Sequence, residues 1–327
     1  MTAGFVLLFH LATSPLLPSA DHPLIFYSNQ SRQDIKALFF TAFNTAASSI
    51  YVNMYGITDP DMIAVLRKKA HFGIKTLVEY DKGASANLFK KLPAPVITHP
   101  VRCRGLMHRK IIIIDHKIVF LGSANLTMTS LKHHDNLVVG IASSELANFI
   151  TDHASFHEKP PRTKKSPPVP PFSFTVADEQ IELRFLPDQE DKTLNYLLSY
   201  LTHAKKSIQI AMFTLTHPTI ADALIEAFKR GVLVQVAIDY YTSRGASKKL
   251  IEKLQANKIP ILLSRSQHLL HHKWALIDAK SLIMGSANWT KAAFSKNEDF
   301  LLFFPRLGKD RKKMMKNLWN AIEQESF

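Results

Sequence analysis

The chain has 327 residues, 46% hydrophobic and 21% charged, which excludes gross disorder and supplies enough apolar material for two domains of ordinary size. Lys and Arg number 41 against 27 Asp and Glu, a net charge of +14 that points to a polyanionic partner (nucleic acid, an anionic membrane surface, a phosphate-rich substrate) or, failing that, to a solvated basic surface. The single cysteine, Cys103, excludes an internal disulfide and reads as a small core residue.

Residues 1–20 are apolar from Phe5 to Leu11 and then rich in Pro, Ser and Leu. The apolar run is too short to span a bilayer. A small-residue site at Ala20 fits an export signal, whereas the missing basic n-region and Pro18 argue against one. The protein is thus expected either exported or associated with an envelope membrane through this segment, or cytoplasmic with a loosely packed N-terminus.

A first domain is expected over residues 21–157. Leu24 to Tyr27 reads as a strand. Ile35, Leu38, Phe39 and Phe43 have helical spacing within Arg32 to Ala47. A strand follows from Ser49 to Tyr55, and Asp59-Pro60 opens a helix that runs to about His71, where Gly73 ends it. Ile74 to Tyr80 is the next strand. Strands alternating with helices predict an α/β layered domain with a mixed, largely parallel central sheet.

Residues 158–172 break the pattern with Pro160, Pro161, Pro167, Pro168, Pro170 and Pro171 among basic residues, and read as a linker. A second domain, 173–327, then repeats the first. Ser207 to Phe213 parallels Ser49 to Tyr55, His217-Pro218 parallels Asp59-Pro60, and Gly231 parallels Gly73, all 158 residues apart.

One stretch carries the chemistry, and it occurs twice. His108-Arg109-Lys110, Asp115 and Gly122-Ser123-Ala124-Asn125 match His271-His272-Lys273, Asp278 and Gly285-Ser286-Ala287-Asn288 in the pattern H-x-K-x4-D-x6-G-S-x-N. The two copies are 163 residues apart, so the second half carries five extra residues between Asp239 and His271. Lys110 to Ile114 reads as a strand that turns at Asp115-His116-Lys117 and returns from Ile118 to Leu121. Alternation along a strand projects His108 with Lys110, and Ser123 with Asn125, while Gly122 is expected to let backbone approach a ligand. Each half then offers an imidazole, an ammonium, a hydroxyl and a carboxamide. Two such sets facing each other form a phosphate pocket. Lys110, Lys273, Ser123, Asn125, Ser286 and Asn288 would bind phosphate oxygens. His108 and His271 would supply nucleophile and acid. A zinc site is the alternative for clustered histidines, but His108, His271, His133 and His134 lack Cys or Glu partners at metal spacing. His268 and His272 line the entrance or are solvated.

The doubled motif resembles the phospholipase D superfamily, over about Ile25 to Phe304. The resemblance implies two tandem α/β/α domains related by a pseudo-two-fold axis. It implies a two-step reaction through a phosphohistidine, with no cofactor and no metal. It makes His108, the N-terminal histidine, the nucleophile and gives Asp115 and Asp278 a bracing role within the catalytic motif. It also implies an acidic residue after each G-S-x-N that orients a histidine; Glu298 and Asp135 fit, Asp135 being a methylene short. The substrate is a phospholipid or a nucleic acid. Head-group hydrolysis is the preferred reading, with nuclease action, cardiolipin synthase-like transfer, or a non-enzymatic binding protein as alternatives. With both half-sites in one chain, the active unit is expected to be a monomer without an obligate protein partner.

Overall fold

Period-two and helical apolar patterns fold where the sequence places them. The computed structural model describes residues 14–154 and 169–327. The apolar run at 5–11 and most of the proline-rich segment lie outside the described residues. Residues 14–20 lie along the first domain, where the Tyr27 hydroxyl donates to the Leu16 carbonyl at 2.6 Å.

The first half holds strands β1 (Leu24–Ser28), β2 (Ser49–Met54), β3 (Lys75–Asp81), β4 (Ile97–Val101), β5 (Lys110–Ile114), β6 (Ile118–Gly122), β7 (His134–Asp135) and β8 (Leu137–Ala142). Seven of them form one sheet in the order β1-β8-β6-β5-β2-β3-β4. β2, β3 and β4 are parallel, and only β5 and β8 run against the remaining strands of this sheet. The second half holds β9 (Phe172–Val176), β10 (Glu179–Leu186), β11 (Ser207–Met212), β12 (Leu233–Asp239), β13 (Ile261–Ser264), β14 (Leu269–Leu270), β15 (Lys273–Ile277), β16 (Ser281–Gly285) and β17 (Asp299–Phe304). Its eight-stranded sheet, β13-β12-β11-β15-β16-β17-β10-β9, repeats the first order and adds β9 at the edge.

Helices Ile35–Thr45 and Pro60–His71 cover the outer face of the first sheet, and Lys192–His203, Pro218–Lys229 and Lys248–Ala256 that of the second. The inner faces share one core. Ile111, Ile113 and Val139 of the first half lie in one apolar cluster with Trp274, Leu276 and Phe300 of the second. Helices Ser144–Ala154 and Lys309–Gln324, both unassigned from sequence, contribute Leu146, Ile150, Leu318 and Trp319 to it. A shared buried core of this kind fixes the two halves relative to each other, so a site between them can be built rigidly.

The motif hairpins turn over three residues, 115–117 and 278–280, closed by the Lys117 and Lys280 amides on the Ile114 and Ile277 carbonyls. Asp115 and His116 take φ of 54° and 51°, and Asp278 and Ala279 take 54° and 48°, as the favoured hairpin geometry demands. The Asp115 carboxylate accepts the backbone amides of Ala47, Ser48 and Ser49, and Asp278 accepts those of Lys205, Lys206 and Ser207. Burial opposes their charge, but these amides hold both carboxyls below their ordinary range. Both aspartates therefore brace the far end of the hairpin and touch no reacting group, although they belong to the catalytic motif. Gly122 and Gly285 also serve packing rather than ligand approach, since a Cβ there would come within 2.3 Å of the Leu137 and Phe300 carbonyls of the neighbouring strands.

Candidate active site

Each motif begins where its histidine crosses to the other half of the chain. The His108 amide donates to the Glu298 carbonyl at 2.8 Å, and the His271 amide to the Asp135 carbonyl at 2.9 Å. β14, just before His271, pairs in parallel with β7 of the first half, and Met107 forms the matching bridge with Glu298. The backbones of both histidines are thus fixed by the opposite domain.

The residue between His and Lys reinforces this. Arg109 is buried, bonds Glu298 and donates to the Ala154 carbonyl at 3.1 Å. Its counterpart His272 is fully buried and meets Gln30 Oε1 at 2.8 Å. His272 is therefore an anchor between the halves, not an entrance residue. His268 is partly exposed, with Nδ1 3.4 Å from the buried Asp135.

The groups that orient the imidazoles lie one residue beyond those expected. His108 Nδ1 is 2.8 Å from Asp299 Oδ1, and His271 Nδ1 is 2.9 Å from Asn136 Oδ1. Glu298 is committed to Arg109 and Asp135 lies against His268 and Ser266, so neither side chain orients a motif histidine. The 163-residue offset that aligns the motifs also pairs Asn136 with Asp299, and that signal could have located them.

The serines follow the same logic. Ser286 Oγ donates to Asp299 Oδ1 at 2.6 Å and accepts the Phe300 amide; Ser123 Oγ donates to Asn136 Oδ1 at 2.9 Å and accepts the Leu137 amide. Both hydroxyls are buried and spent. They position the orienting residues and, against expectation, their protons are not available to a phosphate. Asn125 and Asn288 remain half-buried, each with a side-chain Oδ1 that has no hydrogen-bond partner among the described residues.

The network sets the tautomers. Asn136 Nδ2 donates to the carbonyls of Ser130 and His134, at 2.8 and 3.0 Å, so its Oδ1 must accept. His271 therefore carries its proton on Nδ1. The Asp299 carboxylate fixes His108 in the same way. Neither Nε2 atom has a hydrogen-bond partner among the described residues.

Electrostatics separates the two histidines. Burial and then Lys110 lower the pKa of His108, while Asp299 opposes them. Burial, Lys273 and Lys110 hold His271 well below the usual range, and no carboxylate compensates. Asp299 stays below its ordinary range because His108, Lys110 and the Ser286 bond outweigh its burial.

Lys110 and Lys273 are both buried, and each Nζ donates to the carbonyl of its own motif histidine, at 2.7 and 2.9 Å. Burial pushes Lys110 down to about 7, and burial with the Lys110 charge pushes Lys273 well below its normal value. Two such ammoniums form a site that a multiply charged anion would stabilise.

Aromatic rings missed in the sequence floor each half. Tyr55 lies 5.0 Å from the His108 ring with Lys110 5.0 Å over its face; Phe213 lies 5.0 Å from His271 with Lys273 at 5.2 Å. His134 stands 5.3 Å from the His271 ring, and burial with Lys273 pushes its pKa down to about 4.

Residues 39–155 and 197–323 match the family model described as "Cardiolipin synthase, PLD-like domain". The chain belongs to the phospholipase D superfamily. Among curated relatives, it is 29% identical over 133 residues to a mitochondrial cardiolipin hydrolase of Chlamydomonas reinhardtii, covering 40% of this chain and 59% of that protein. It is 33% identical over 119 residues to the mouse protein of the same name, covering 36% and 52%. A phospholipase D of Rickettsia typhi is 29% identical over 138 residues, covering 39% and 67%. The first-named hydrolases are thus matched over little more than half their length. Phosphatidylserine synthase of Haemophilus influenzae superposes with a TM-score of 0.73 over 96% of this chain and 89% of its own, at 16% identity, which bears on the fold alone.

Proposed function

We propose that this protein is a phospholipase D-type phosphodiesterase that hydrolyses the head-group phosphodiester bond of phospholipids. The observation that carries the reading is the meeting of two buried lysines with two histidines whose Nε2 atoms are both free. The names of the curated relatives, cardiolipin hydrolase and phospholipase D, support lipid as substrate.

In this reading neutral His108 attacks phosphorus through Nε2. Lys110, Lys273, Asn125 and Asn288 hold the non-bridging oxygens as charge builds on them. Protonated His271 gives its Nε2 proton to the departing head-group oxygen, and the P–O bond breaks. The phosphoryl group is then bonded to His108. Neutral His271 takes a proton from water, whose oxygen attacks phosphorus and releases His108. Acid–base help of this kind is worth on the order of 100 to 10,000-fold. A phosphate monoanion in the pocket supplies the charge that protonates His271, which the empty site disfavours. Every step runs through side chains of one chain, so the proposal includes a metal-independent monomer.

The net charge of +14 favours a second reading, a nuclease using the same site on a nucleic-acid backbone. One experiment separates them. Purified protein is offered mixed phospholipid vesicles and single-stranded and duplex nucleic acid, with EDTA present, beside His108→Ala and His271→Ala. Head-group release that disappears in both variants is expected. Backbone cleavage lost in both would make the protein a nuclease. Activity that survives either substitution would overturn the composite site.

A further inference from the structure

The two halves differ in the segment that follows β3 and β12. Ser85 and Ser247 do the same task, their hydroxyls accepting the amides of Ile57 and Leu215 at 2.9 and 3.0 Å. Yet Ser85 lies four residues after Asp81, and Ser247 eight after Asp239. Four of the five extra residues of the second half are therefore spent here. They build the short helix Tyr240–Arg244 directly after β12.

That helix is tied to the site. Asp239 caps it through the amides of Tyr241 and Thr242, at 3.0 Å each. The Thr242 hydroxyl bonds the carbonyl of Phe213, whose ring stands 5.0 Å from His271. The guanidinium carbons of Arg244 and Arg265 sit 4.4 and 4.3 Å from the centre of the Tyr240 ring. Tyr241, beside them, is 74% exposed. In the first half, Arg104 and Leu106 precede His108 by four and two residues; Arg104 is exposed and Leu106 is 42% exposed.

We propose that the exposed Tyr241, Arg244 and Arg265 of the second half, with the exposed Arg104 and Leu106 just before His108, dock the protein on an anionic phospholipid bilayer. The inference rests on the lipid reading of the site. Arg244 and Arg265 are held by an aromatic ring, which orients their charge without neutralising it, and arginine matches phosphate oxygens. An exposed phenol and an exposed aliphatic side chain suit the boundary between head groups and acyl chains. A nucleic-acid strand would want open aromatic faces for its bases. The Tyr240 ring is already taken by two guanidiniums and Leu106 offers no stacking surface, which leaves Tyr241 as the single open ring among these residues.

The test uses the full chain and reads binding apart from turnover. Co-sedimentation is measured with vesicles of phosphatidylcholine alone and of phosphatidylcholine with phosphatidylglycerol, at low and high salt. Turnover is measured on vesicles and on dissolved bis(p-nitrophenyl) phosphate. The wild type should prefer the anionic vesicles and lose that preference in salt. R104E/R244E should weaken anionic-vesicle binding by on the order of 25-fold or more, at about fivefold per basic residue removed. Y241A should weaken binding without changing its salt dependence. Both should turn over the dissolved diester like the wild type, which also shows that they are folded. Equal binding by wild type and variants overturns the surface, as does a loss of oligonucleotide binding in the variants with vesicle binding intact. Vesicle binding by H108A beside a wild type that releases no head group would instead sink the lipid-hydrolase reading while supporting the surface.

Discussion

His271 Nδ1 lies 2.9 Å from Oδ1 of Asn136, so the second histidine is held by an uncharged group from the first half of the chain. Its twin, His108, is held by the carboxylate of Asp299. The site is symmetric in its backbone and asymmetric in its charge. A carboxylate favours the protonated imidazole and a carboxamide does not, so in the empty site His108 is the more readily protonated of the two, and its assignment as the neutral nucleophile follows the family resemblance, not this asymmetry.

Asp299→Asn should expose that division. The substitution removes the charge that raises the pKa of His108. A nucleophile must be neutral, so the acidic limb of kcat/KM should move to lower pH. The loss of orientation should lower kcat by about 10- to 100-fold. Asn136→Asp should raise the pKa of His271, the acid, and move the alkaline limb to higher pH. It would also lower stability, because a carboxylate oxygen would face the carbonyls of Ser130 and His134. If Asp299→Asn moves the alkaline limb instead, the roles of the histidines are interchanged.

The buried lysines link anion binding to stability. Their pKa values in the folded protein lie below those of an unfolded chain. Between the two values the unfolded chain binds more protons, so the empty protein should gain stability as pH rises from about 7 toward 10. Inorganic phosphate favours the charged lysines, so its effect on Tm should shrink over the same window. Thermal unfolding with and without phosphate across this range reads both trends. Lys273→Met should lose about 100- to 1,000-fold in kcat/KM. The same substitution should leave the empty protein no less stable, since it removes a buried charge.

Glu298 and Asp299 are neighbours with separate tasks. Glu298→Ala would remove one carboxylate from the buried Arg109 and should cost about 1 to 3 kcal/mol, read by chemical denaturation. The pH limbs of the surviving activity should not move. A shifted limb in Glu298→Ala would return the orienting role to Glu298.

Much of this molecule was legible before folding. The strand and helix bounds over Leu24 to Asp81 follow from apolar periodicity and from Asp59-Pro60 and Gly73, and the doubled motif located the lysines and histidines. The orienting pair was missed by one residue. Glu looked the better match to habit, whereas strand alternation puts Asp299, not Glu298, on the face that meets Ser286. The serines were misread because a hydroxyl at a motif end looks like a ligand for phosphate, and only the register of β17 and β8 shows it already bonded. The crossing of the halves lies beyond sequence reading: nothing local to His271 announces that Asp135 and Gln30 will hold its strand. Helix Lys309–Gln324 went unassigned because its apolar positions, Met315, Leu318, Trp319 and Ile322, begin only after a basic first turn.

The serines give the final test of this wiring. Ser286 reaches the reaction only through Asp299 and His108, at 2.6 and then 2.8 Å. Ser286→Ala should therefore lower kcat by about tenfold, leave KM nearly unchanged and displace the acidic limb to higher pH, opposite to Asp299→Asn, because the carboxylate keeps its charge and loses a donor that shares its oxygen with His108. Asn288 shows no such link: its Oδ1 has no partner among the described residues, and its Nδ2 would be the donor to a phosphate oxygen. Asn288→Ala should cost about 100-fold in kcat/KM with the pH limbs unmoved. The two variants differ by small deletions two residues apart, so a gross folding defect would not separate them, whereas a pH profile does. A Ser286→Ala enzyme whose KM rises while its limbs stay fixed would show that the hydroxyl binds substrate after all, and the chain of bonds from Ser286 to His108 would lose its part in catalysis.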